Sequence, residues 1–193
     1  MREYLKTIPN LLTALRLLLL PVLWGLALLK WPVPLAIGMI ISFLTDTLDG
    51  FIARRFNVTS AFGSKFDSLA DNLLIPSTVI WLVILRPEVL TDHPILCAVA
   101  AVTYGSSLLV GWIKFRRFAN LHLYSKKTAG VLSYAFIVHA LLAGRYNAWL
   151  FYIAISLFIL ASVEGLILQL THAQVDEHMG SLVLTLVRRK STP

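Results

Sequence analysis

Cysteine is almost missing from this sequence, and charge is scarce. The single thiol, Cys97, excludes any disulfide within the chain, and its place in an apolar run predicts an inert, buried side chain. Only 14% of the residues are charged, against about 25% in an ordinary soluble domain. Acids are the rarer sign, 10 Asp and Glu beside 17 Lys and Arg, for a net charge of +7. A basic excess can indicate nucleic-acid binding. Here the basic residues gather at the ends of apolar runs, which is how membrane topology is signalled, so no nucleic-acid partner is expected. Internal repeats, low-complexity tracts and long polar linkers are also absent, and residues 1–193 read as one domain. The first apolar run is too long for the core of a signal peptide and has no small-residue cleavage site, so no cleaved leader is expected.

What the chain has in abundance is apolar surface, 58% of its residues, with a mean hydropathy of +0.77. That balance predicts an all-α, polytopic membrane protein in contact with membrane lipid. A helix needs ~20 apolar residues to cross ~30 Å of hydrocarbon. Six runs come near that length, at 10–29, 33–56, 64–85, 94–115, 128–143 and 147–170, and together they read as a six-helix bundle over 10–170. Residues 1–9 read as an interfacial segment on the membrane surface, and 171–193 as a cytoplasmic tail. Arg2, Lys6, Arg54, Arg55, Lys65, Lys114 and the basic residues that follow them fall on one side of this layout. Only Lys30, Arg86 and Arg145 fall on the other. The positive-inside rule then puts both termini in the cytoplasm, and the membrane is expected to be a bacterial inner membrane. Trp31 and Trp149, near span ends, read as interface anchors, and His139 as a core histidine.

Four of the acids lie where acids are hardest to keep. Asp46 and Asp49 are near the end of the second run, Asp67 and Asp71 near the start of the third. An ionised acid inside a span costs about 2.5–3.5 kcal/mol on insertion scales and by default marks a functional site. Spacings of three and four put each pair on one face of its helix. If the two helices face each other, four carboxylates converge, and they repel unless cations sit between them. Hard divalent metals with oxygen ligands answer that need.

The full spacing over 46–71, D-x2-D-G-x2-A-R-x8-G-x3-D-x3-D, resembles the signature of the CDP-alcohol phosphotransferase family of integral-membrane phospholipid synthases. The resemblance implies a CDP-linked lipid as donor (CDP-diacylglycerol or another CDP-alcohol), two Mg²⁺ or Mn²⁺ ions, a homodimer, and a site facing the cytoplasm. It makes Asp46, Asp49 and Asp67 the principal metal ligands. Asp71 would add to them and act as general base, taking the proton of the acceptor hydroxyl as it attacks the β-phosphorus and CMP leaves. Gly50 and Gly63 would let backbone approach the nucleotide, with Ala53 beside them. Arg54 would hold a phosphate, and Thr59 and Ser60 would lie in the linker over the cytidine.

The acceptor is read from the first run and the fourth loop. IPNLLTALRLLLLP resembles the start of phosphatidylglycerol phosphate synthase and cardiolipin synthase members of that family, and Asn10, Thr13 and Arg16 share one face of it. Arg16 and Glu164 lie at similar depth, and neither would stay unpaired in lipid. They are expected to pair; the alternative is that Arg16 faces the acids. Arg116, Arg117, Lys126 and Lys127 form a basic cluster suited to a phosphorylated acceptor or, equally, to lipid headgroups. Together these favour glycerol 3-phosphate as acceptor. The stretch LHLYSKKTAG lacks the glycine that phosphatidylglycerol phosphate synthases usually carry between basic residues, which leaves phosphatidylglycerol, inositol phosphate and serine open. A different class, an ion-coupled carrier, would explain the acids but not Gly50, Ala53, Arg54 and Gly63.

Overall fold

The structure, a computed structural model, describes residues 2–56, 61–115 and 124–171, and every element among them is a helix. In order these are α1 (Arg2–Leu28), α2 (Pro32–Phe56), α3 (Ala61–Leu85), the short α4 (Glu88–Asp92), α5 (Pro94–Phe115), α6 (Tyr124–Leu142) and α7 (Ala148–Thr171). Each expected run becomes a helix, with ends displaced by a few residues. Two features differ. The segment 1–9 is not separate from the first span, because α1 runs through Pro9. Leu5, Ile8, Leu12 and Leu15 keep the helical period across the expected boundary. The pyrrolidine removes the N–H that would reach the carbonyl of Leu5 and crowds that carbonyl, yet the helix continues past it. The turn of helix in α4 was not foreseen. The expected tail at 171–193 lies outside the described residues beyond Thr171.

Local chemistry sets the helix ends. After α1 the amides of Lys30 and Trp31 return to the carbonyls of Ala27 and Leu26, at 3.0 Å each. Lys30 takes a left-handed φ of 57°, and this pairing is a Schellman cap. Pro32 then opens α2 at the position where a missing N–H costs nothing. Asn147 caps α7, its Oδ1 accepting the amide of Leu150 at 3.1 Å.

The chain divides into two compact units, Met1–Val89 with Ile137–Tyr146, and Leu90–Phe136 with Asn147–Pro193. In the first, α1 packs against both α2 and α3. Leu35, Met39 and Ser42 form a buried stripe along α2, and a Cβ on Gly38 would run into Leu23 of α1. Trp24 of α1 meets α3 twice, donating to Ser77 Oγ at 3.1 Å and standing edge-on to Trp81 with ring centroids 5.9 Å apart. Arg86 donates to the carbonyl of Ala140 at 3.0 Å, near the end of α6. In the second unit α5 packs on α7, and Tyr104 lies against Phe158 with centroids 5.4 Å apart.

Two stretches, Pro94–Gly111 of α5 and Ala148–Thr171, which is all of α7, are long and apolar enough to cross a bilayer. Only 17% and 28% of their residues are buried, whereas the core helix of a soluble protein would be mostly buried. Shorter apolar stretches occupy Thr13–Leu28, Pro32–Leu48 and Leu73–Leu85. Ile95, Leu109, Ile113 and Leu160 are all exposed, as lipid-facing side chains are. His139 is exposed too, contrary to its expected place in the core: the buried stripe of α6 is Phe136, Ile137, Ala140 and Leu141, and His139 points away from it.

Candidate active site

All four acids lie on helices, Asp46 and Asp49 towards the end of α2, Asp67 and Asp71 in the first half of α3. The spacings of three and four therefore place each pair on one helical face. Gly50, Ala53 and Arg54 continue α2, and Gly63 lies in the first turn of α3. Of this group only the Asp46 side chain is among those described. Thr59, Ser60, Arg116 and Arg117 lie outside the described residues, as do the side chains of Asn10, Asp49, Arg54, Asp67 and Asp71.

The two acid-bearing helices share a partner, α1. The stripe on α2 that faces α1 runs Leu35, Met39, Ser42, and one turn later reaches Asp46. Nη1 of Arg16 on α1 donates to Oδ1 of Asp46 at 2.5 Å. The arginine side chain is 2% exposed and the aspartate 42%, so the pair is anchored on the inner side and open on the other. A small cleft here is lined by Arg16, Leu17 and Leu20 from α1, Ser42 from α2, and Ala70 and Leu74 from α3. Ala70 immediately precedes Asp71. Thr13, one turn before Arg16, is buried.

Of the two placements open for Arg16, the partner seen is the one on the acid side, Asp46. Glu164 accepts the Ser125 hydroxyl at 2.5 Å.

Lys126 and Lys127 stand apart in character. Lys127 is exposed, while Lys126 is partly buried at the start of α6, where a Cβ on Gly165 would come within 2.7 Å of its Cε. Burial pushes the Lys126 ammonium below its ordinary pKa, and Glu164 works against that shift. Nearby, Lys114 donates to the carbonyl of Gln169 at 2.6 Å and so caps α7. Ser125 and Gly165 were not picked out in the sequence, and Lys114 only as a topology signal. The one available signal was a glycine directly after an acid in an otherwise apolar span.

The donor set fits a hard divalent cation: carboxylate oxygens in two pairs, on helices that share one neighbour. Among the described residues no three metal-ligating side chains come together, since only Asp46 of the four is described there. A family profile described as CDP-alcohol phosphatidyltransferase matches residues 6–174. A chloroplastic CDP-diacylglycerol–glycerol-3-phosphate 3-phosphatidyltransferase of Oryza sativa subsp. japonica is 35% identical over 120 residues, 62% of this chain and 35% of that protein. The Rickettsia typhi protein of the same name, without the chloroplastic label, is 32% identical over 99 residues, 50% of this chain and 54% of its own length. The Shigella flexneri serotype 5b protein is 30% identical over 172 residues, 81% of this chain and 87% of its own. The matches thus span about a third and about half of the first two relatives but most of the third. No solved structure matches the chain.

Proposed function

This chain belongs to the CDP-alcohol phosphatidyltransferase family, and from that premise we propose that it transfers a phosphatidyl group from CDP-diacylglycerol to glycerol 3-phosphate with release of CMP. The observation that carries the reading is the acid signature, two pairs on two helices that both pack on α1, in a chain whose relatives are named for this reaction.

In the proposed reaction the acceptor hydroxyl oxygen bonds to the β-phosphorus of the donor. The bond from that phosphorus to the oxygen bridging to CMP breaks, and the hydroxyl proton passes to the carboxylate of Asp71. Asp46, Asp49, Asp67 and Asp71 are the residues that would hold Mg²⁺ or Mn²⁺. Such ions, when bound, neutralise the diphosphate and make its phosphorus more electrophilic. Arg54 offers a cationic fork for a phosphate, and Gly50 and Gly63 leave room for the nucleotide beside the backbone. The basic residues around the loop before α6, Arg116, Arg117, Lys126 and Lys127, supply positive charge for a phosphorylated acceptor. Lys126 is already engaged beside Glu164, so Lys127 is the better-placed of the two described.

The same reading makes residues 1–193 one catalytic domain, six spans with both termini in the cytoplasm of a bacterial inner membrane, and a homodimer. The domain and topology rest on the family match over residues 6–174 and on the distribution of Lys and Arg. The test is CMP release by the purified full chain from CDP-diacylglycerol micelles with Mg²⁺, against glycerol 3-phosphate, phosphatidylglycerol, inositol phosphate and serine. Release with glycerol 3-phosphate is expected. Release with another acceptor alone would replace the acceptor, and release with none would remove the enzyme reading.

A further inference from the structure

Among the described residues Arg16 is the one charged side chain in the buried set. A guanidinium keeps its charge at any physiological pH, so burying it demands a carboxylate partner with good geometry. Asp46 meets that demand through Oδ1 at 2.5 Å, while 42% of its side chain stays exposed. Arg16 also lines a cleft shared with both helices that carry the acids. Its cleft is lined by Ser42, one turn before Asp46, and by Ala70, next to Asp71.

We propose that Arg16 is a positioning residue for the phosphatidyl-transfer site. It holds Oδ1 of Asp46 and so orients the carboxylate that would serve a divalent cation. Because it bridges α1 to α2 beside α3, it also sets how the two acid-bearing helices are spaced about α1. The inference rests on the function proposed above and deepens it. Arginine suits the task better than lysine, since its planar fork fixes a direction as well as a charge.

The test titrates Mn²⁺ into the full-length protein in detergent micelles, reading free Mn²⁺ by electron paramagnetic resonance. Wild type, Arg16→Gln, Arg16→Lys, Asp46→Asn and the Arg16→Gln/Asp46→Asn double variant are compared. Arg16→Gln is expected to raise the half-saturating Mn²⁺ concentration about 10–100-fold, the usual effect of losing a group that orients a ligand. Arg16→Lys should recover part of that loss, and KM for CDP-diacylglycerol at saturating Mn²⁺ should not change. The double variant should bind no more weakly than Asp46→Asn alone, because the two act through one carboxylate. A purely structural arginine would instead lower the melting temperature and leave Mn²⁺ affinity untouched. Wild-type Mn²⁺ affinity in folded Arg16→Gln overturns the proposal; if that variant does not fold, the same result in Arg16→Lys overturns it. Were the wild type itself to bind no Mn²⁺, the metal reading of the four acids would fall and this role with it. Binding by the wild type that every Arg16 variant matches removes the positioning role alone.

Discussion

Arg16 and Glu164 are two charges on apolar helices, and each has a different polar partner. Arg16 is committed to an acid of the signature, whereas Glu164 accepts the Ser125 hydroxyl and lies beside Lys126. Their variants should separate accordingly. Glu164→Ala removes a charged acceptor and strips Lys126 of a compensating charge, and it should lower stability by about 1–3 kcal/mol, read as thermal unfolding in detergent. The expected loss of activity is no larger than the loss of folded protein. Asp71→Asn is the converse: CMP release should fall by about 10²–10⁴-fold, the range for losing a general base, with the melting temperature unchanged. If Asp71→Asn kept most of the activity, the base would have to be sought elsewhere in the signature.

α1 serves as the template of its unit, and its contacts are of three kinds. Gly38 of α2 lets that helix close on Leu23, Trp24 sets the register of α3, and Arg16 joins the charged end. Gly38→Val would drive a branched side chain into Leu23, itself 1% exposed, and overpacking of that kind costs about 1–3 kcal/mol. Such a change should also reduce CMP release, although residue 38 is two turns from Asp46, because the acid rides on the helix that moves. A loss of stability with CMP release per folded molecule unchanged would argue against the template role. The Schellman cap after α1 gives a prediction of opposite sign. Lys30 holds a left-handed φ of 57° without being glycine. Lys30→Gly should therefore raise stability by about 0.5–1 kcal/mol, provided the cap's two hydrogen bonds persist.

Taken whole, every element among the described residues is a helix, and the exposure of the apolar helices matches a lipid surround. The proposed topology can be checked from the cysteine content. Cys97 is the only native thiol, so a Cys97→Ala background carries single new cysteines cleanly. A membrane-impermeant maleimide should label Trp31→Cys from the outer face of intact cells, and Lys127→Cys only after the inner face is opened. Labelling of Lys127→Cys in intact cells would reverse the orientation and take the site away from the cytoplasm, where nucleotide is supplied.

The sequence by itself determined which stretches are helical, because apolar runs of this length have no other way to satisfy their backbone in lipid. The chemistry proposed for the site is also read from sequence, since the types and spacing of Asp46, Asp49, Asp67 and Asp71 are legible without coordinates. The absence of a break after Pro9 and the cap at Lys30 were harder to read, as both depend on local backbone geometry rather than on hydropathy. What only the tertiary structure decided is who meets whom: that α1 is the shared neighbour of the acid-bearing helices, and that Arg16 meets Asp46 while Glu164 meets Ser125. Hydropathy sets how deep a residue lies. The face it presents to a neighbour follows from how helices pack, and that depends on small details such as a glycine at 38 that no single run of sequence reveals.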